Sequence, residues 1–128
     1  MQPRDLLKTI SAVLDEAKGQ DIQSLDVRKM TDITDYMVIV SGTSSRHVSA
    51  LADRVVDRLR EHGLRPIGIE GKAQGEWVLI DFGDVIVHVM HRQTRDFYTL
   101  EKLWSKEVAQ ELPVTEKAVQ KPRRRTRT

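Results

Sequence analysis

Two apolar runs, residues 76–82 and 85–90, flank the pair Gly83-Asp84, and no other stretch constrains the fold as tightly. A two-residue Gly-containing link between alternating runs signals a β-hairpin, because such turns match the twist of the strands they join. Closing the turn there sets Phe82 opposite Val85, Ile80 opposite Val87 and Val78 opposite Val89. That face is wholly apolar and has to be core, since a one-residue slip would turn it to solvent. The other face pairs Asp81 with Ile86, Leu79 with His88 and Trp77 with Met90. It is apolar too, but polar groups interrupt it.

The remaining elements must supply layers for this hairpin. Residues 3–18 place Leu6, Ile10, Val13, Leu14 and Ala17 on one helical face, and Gly19 is expected to end the helix. Residues 22–28 read as a strand, and Tyr36 to Val40 as a short buried one. Thr43-Ser44-Ser45 offers hydroxyls to cap a helix whose stripe is Val48, Leu51, Ala52, Val55, Val56 and Leu59, closed by Gly63. Residues 65–69 form a brief strand. A last helix starting near Thr94 carries Phe97, Leu100, Trp104 and Val108, and Pro113 ends it. The order predicts a single α/β domain over residues 1–112, with a mixed sheet of about five strands flanked by helices.

Charge divides the chain differently. Residues 113–128 hold six basic side chains against one acid, Glu116, whereas residues 1–112 hold 15 basic and 18 acidic ones. The folded body is therefore mildly acidic and only the tail can seek phosphates; a run of this composition is expected to be disordered. A weak RNA contact by the tail and a purely solubilising role both fit. Cysteine is absent, so disulfides and Cys-based zinc sites are excluded, which suits a reducing compartment. The longest apolar run, from Met37 to Val40, is far short of the about 20 residues a membrane helix needs. A cytoplasmic protein with no membrane contact is expected.

Catalytic chemistry finds little support. Gly42-Thr43-Ser44 lies between a strand and a helix N-terminus, where backbone N–H groups could hold a phosphate. Nucleotidyltransferases follow such a loop with paired carboxylates for two metal ions. No Asp/Glu-x-Asp/Glu occurs here, and Asp81 and Asp84 straddle a turn. Gly71-Lys72 is not a phosphate loop, because Pro66 and Ala73 occupy the positions that need glycine and a hydroxyl. His88 and His91 alternate to opposite faces, while His47 and His62 sit at two ends of one helix. No catalytic residue, metal ligand or cofactor is expected.

The second hairpin face is the better candidate. Trp77, Leu79, Ile86 and Met90 form either a face covered by another layer or an open apolar patch of the kind that binds proteins. Glu70, Lys72 and Glu76 precede it and would form a polar rim.

Several stretches in this order resemble the Iojap family, the bacterial ribosomal silencing factors. They are residues 21–28, Asp32-Ile33-Thr34-Asp35-Tyr36, residues 40–50, Glu70-Gly71, residues 77–88 and the segment from Arg95 to Trp104, together spanning most of residues 5–105. The resemblance implies a nucleotidyltransferase-like fold without the catalytic carboxylates. It further implies a regulator that binds the large ribosomal subunit through large-subunit ribosomal protein fourteen, blocks subunit association and represses translation under nutrient limitation. Trp77 and Met90 are expected as anchors of that contact, with Glu70, Lys72, Asp81 and Tyr98 around them. Arg95 and Tyr98 could also pin the last helix. A ribosome assembly factor contacting RNA, and a nucleotidyltransferase-like enzyme, are the alternatives. A homodimer is left open.

Overall fold

The computed structural model describes residues 1–98, with side chains up to Asp96. The elements in chain order are α1 (Pro3–Glu16), β1 (Gln20–Asp26), β2 (Tyr36–Gly42), α2 (Ser45–Glu61), β3 (Gly68–Glu70), β4 (Trp77–Asp81), β5 (Val85–His91) and α3 (Arg92–Tyr98). The expected positions Leu100, Trp104 and Val108, and the basic tail, lie outside the described residues.

The five strands form one mixed sheet in the order β1-β2-β5-β4-β3. The hairpin register is the one its turn dictates, with Val78 opposite Val89 and Ile80 opposite Val87. β2 runs parallel to β5, and the other neighbours are antiparallel. Parallel neighbours need a crossover, and α2 lies within it. The pairing with β5 carries β2 two residues beyond the expected Val40, setting Ser41 beside Met90 and Gly42 beside His91.

One face of the sheet holds Val38, Val40, Val78, Ile80, Val85, Val87 and Val89, all fully buried under α1 and α2. The helices contribute Leu6, Ile10, Val13 and Leu14, and Val48, Leu51, Ala52, Val55 and Leu59. Each such side chain contributes about 1.5–3 kcal/mol by leaving water, so this layer dominates the fold's stability.

The helix ends differ in part from expectation. Ser44 caps α2, its Oγ accepting from the His47 N–H at 3.0 Å. Both helices end in the paired backbone bonds of a Schellman motif: the N–H groups of Gly19 and Leu64 donate to Leu14 and Leu59, and those of Lys18 and Gly63 to Asp15 and Arg60. In α2 the left-handed residue is Gly63, as expected. In α1 it is Lys18, at φ 66°. Gly19 is needed instead for close packing, since a Cβ there would lie 2.6 Å from Val40 Cγ2.

Candidate functional site

The second face of the sheet is covered. Met37, Ile39, Leu79, Ile86 and Met90 cluster with Val27, and Leu25, Met30, Ile33 and Trp77 pack against them. Among the described residues the cover is the β1–β2 connection, residues 27–35, with α3 over the end of the face near Ser41. This answers the choice left by the sequence between a covered face and an open patch. The connection holds itself in place locally. Val27 N–H donates to Asp35 C=O at 3.0 Å, and the Met30 and Thr31 N–H groups return to Val27 C=O at 3.0 and 3.1 Å.

Met90 is fully buried and cannot present surface to a partner, contrary to its expected place as an exposed anchor. Its neighbour across the β4–β5 ladder, Trp77, is only half-buried. The Trp77 indole N–H donates to His88 Nδ1 at 2.9 Å, with the rings tilted 52°. An indole N–H can only donate, so His88 Nδ1 carries no proton and its hydrogen sits on Nε2. The buried imidazole thus fixes the tryptophan orientation from inside the sheet.

Asp81 departs from expectation as well. It is 2% exposed and lies at the opposite end of β4 from Trp77, about 13 Å of strand away. Its Oδ1 accepts from the Gly83 N–H at 2.7 Å, which places this carboxylate in the construction of the hairpin turn. Glu70 is opposite Leu79 and so shares the Trp77 side of the sheet, half-buried. Lys72 is exposed and turns toward the other layer, where it pairs with Asp53 of α2. Tyr98 is the last described residue of α3, and its side chain lies outside the described ones.

Trp77, Met90, Glu70 and the start of α3 thus gather at one corner, where β2 and β5 end. The loop of residues 71–76 shapes that corner. Gly71 has φ +84°, and a Cβ on it would fall 2.0 Å from the Trp77 carbonyl oxygen. Gly75 has φ +68° and lies against Ser45 at the start of α2. The Gly71-Lys72 pair that invites a phosphate-loop reading is there because the loop passes so close to Trp77.

The histidines do other work. His47 Nδ1 accepts from the Thr43 N–H at 2.9 Å, while Nε2 lies 3.1 Å from the Ala17 carbonyl, tying the α2 N-terminus to the end of α1. Among the described residues, no group of three or more His, Cys, Asp or Glu side chains is arranged to hold a metal ion. No described helix is long and apolar enough to cross a membrane.

Two features of this face were missed from sequence: the covering segment, and the partner through which Arg95, expected as a possible pin of the last helix, holds on, which is Ser41. Val27, Met30 and Ile33 recur every third residue among Asp, Thr and Lys, a signal that could have marked a segment packed on one side. Nothing in the sequence alone pairs Arg95 with Ser41.

Comparison with known proteins gives a consistent picture. A family model described as ribosomal silencing factor during starvation, RsfS, matches residues 1–128. The ribosomal silencing factor RsfS of Haemophilus influenzae is 45% identical over 100 residues, covering 78% of this chain and 98% of that one. A crystal structure of a Chromobacterium violaceum protein superposes with a TM-score of 0.80 at 43% identity, covering 81% of this chain and 87% of that one. A mouse protein named mitochondrial assembly of ribosomal large subunit protein 1 is 37% identical over 97 residues, which span 73% of this chain and 42% of that protein.

Proposed function

The chain belongs to the ribosomal silencing factor family, RsfS, and on that premise we propose that it docks on the large ribosomal subunit and keeps the small subunit from joining. The observation that carries this is the family match along residues 1–128. The component contacted is large-subunit ribosomal protein fourteen, on the face where the small subunit docks. Translation falls when nutrients are scarce because a bound subunit cannot complete a ribosome. The chain acts as a cytoplasmic regulator and not as an enzyme.

Physically the task needs a contact of ordinary size, about 800 Å² per partner, and a body bulky enough to clash. The Trp77 corner supports that reading. Trp77 is a partly exposed aromatic whose ring is fixed from beneath by His88 and Met90, and rigid aromatics of this kind dominate contact energies. Glu70 shares its side of the sheet, and α3 starts beside it. The acidic balance of residues 1–112 favours a basic ribosomal protein, since complementary charge speeds encounter.

The mouse relative's name favours a second reading, assembly of the large subunit, in which the basic tail reads RNA. Co-sedimentation with isolated large and small subunits separates the two. On the silencing reading the wild type travels with the large subunit and lowers full-ribosome formation. Trp77→Ala then loses about 2 kcal/mol of binding, roughly thirtyfold, while deletion of residues 113–128 costs little. Binding that disappears with the tail, falls steeply with salt and ignores Trp77 would put RNA-directed assembly in its place. The same runs, analysed by sedimentation rate, distinguish a monomer from a homodimer.

A further inference from the structure

The described part of α3, Arg92–Tyr98, begins directly after β5 and lies against the sheet. Among its described side chains Arg95 is the one that is buried, at 6% exposed. Its Nη1 donates to Ser41 Oγ at 2.9 Å and lies 3.4 Å from the Gln20 carbonyl oxygen. Ser41 follows Met37 and Ile39 by even steps along β2, so its side chain lies on the second face of the sheet, below α3.

The strand registers give this contact its meaning. Gln20 is opposite Ser41, Ser41 is beside Met90, and Met90 is opposite Trp77. These four residues make one continuous row across β1, β2, β5 and β4. Arg95 grips the first two members of the row, and Trp77 is the last. β1 carries a bulge between Gln20 and Gln23 at the gripped end, where the ladder is irregular.

We infer that Arg95 is a positioning residue that seats α3 on this row, so that the helix and Trp77 present one docking surface. The inference rests on the Trp77 corner being the ribosomal contact, as proposed above. Tyr98 follows Arg95 by three residues, close to one helical turn, so whatever tilts Arg95 also moves the Tyr98 backbone. The seat is polar and charge-assisted, and the planar guanidinium supplies several donors in fixed directions. Lysine offers the charge without that fork and cannot replace it fully.

The test uses the full chain in four forms beside wild type: Arg95→Met, Arg95→Lys, Ser41→Ala and Trp77→Ala. Two readouts are taken, amide hydrogen exchange of residues 93–98 against strands β2 and β5, and affinity for isolated large subunits. Arg95→Met is expected to speed exchange in α3 while leaving the strands protected, and to weaken subunit binding about tenfold, the scale of one hydrogen bond from a charged donor. Arg95→Lys and Ser41→Ala fall between it and wild type in both readouts. Loss of binding with Trp77→Ala but none with Arg95→Met would overturn the positioning role while leaving the contact surface intact. Unchanged exchange in α3 with Arg95→Met would overturn it equally. If Trp77→Ala itself binds like wild type, the surface reading falls, and the role of Arg95 in it falls too.

Discussion

The two faces of the sheet are built from the same alternating strands and solved in different ways. Under α1 and α2 the contacts are apolar throughout, with Ile10, Leu14, Leu51, Leu59 and Ile80 fully buried. The opposite face mixes Met37, Ile39, Ile86 and Met90 with the buried polar side chains Ser41, Asp81, His88 and Arg95, and among the described residues a loop covers much of it, with α3 at one end, where α1 and α2 cover the first. Close packing stabilises, but it leaves nothing free to recognise a partner. Polar anchoring yields less stability and fixes particular groups in particular directions, which is what a binding corner needs.

The sharpest way to break this contrast is to cut an equivalent apolar side chain from each layer. Leu51→Ala leaves a cavity between α2 and the sheet and should cost about 3 kcal/mol in denaturant unfolding. Met30→Ala, in the half-buried cover, should cost about 1 kcal/mol, because part of that side chain already meets water. Equal losses would mean that the loop is as much a core layer as the helices are.

Gly71→Ala comes next in size. The new Cβ meets the Trp77 carbonyl and the backbone there is left-handed, so the loop must move, at about 2 kcal/mol. Because the loop shapes the corner, subunit binding should fall more than global stability does. A variant with wild-type affinity would detach the loop from the site.

Trp77→Phe probes the polar anchoring alone. It keeps a large ring but removes the donor to His88 Nδ1, leaving a buried acceptor without this bond, at about 1.5 kcal/mol of stability. Binding should suffer less than in Trp77→Ala, since apolar contact persists. If phenylalanine is as poor a binder as alanine, the directed indole matters more than the area it covers.

The layered plan was legible in sequence because it depends on periodicity. The hairpin register followed from Gly83-Asp84 and the alternation around it, and both long helices from stripes such as Val48, Leu51, Val55 and Leu59. Strand ends were less legible: β1 spans Gln20–Asp26 where residues 22–28 were expected, and β3 spans Gly68–Glu70 where 65–69 were. Short edge strands take their limits from their neighbours, β1 from β2 and β3 from β4, and not from their own residues. The site was the least legible part. Alternation correctly put Trp77 and Met90 on one face, but it cannot say that this face is covered and Met90 buried. Nor can it say that Asp81 turns inward to the Gly83 N–H. Those outcomes depend on which segment reaches the face first, a tertiary fact that no local pattern encodes.

The smallest effect lies where the cover begins. Arg28 reaches back to Asp26 through Nε and Nη2, at 2.9 and 2.6 Å, and its guanidinium stands 5.4 Å from the Tyr36 ring centre. The hydrogen bond from the Arg28 side chain, and then that from its backbone N–H, hold the Asp26 carboxyl at about 2, below its ordinary 3.8. A carboxyl whose folded value is depressed contributes stability above its unfolded value and loses it as the pH falls through the folded one. The contribution of this pair should therefore be complete above about pH 4 and fade toward pH 2. Both side chains are about half exposed, so the energy is small and screened by salt. A carbon-detected titration of Asp26 should give a midpoint near 2 in the wild type and a higher one in Arg28→Ala, short of 3.8 because the backbone N–H of residue 28 still donates. Amides of residues 27–35 should exchange faster only as acid opens the pair. If the midpoint stays low in Arg28→Ala, the backbone at the end of β1 holds the carboxylate by itself, and the cover is fastened without its arginine.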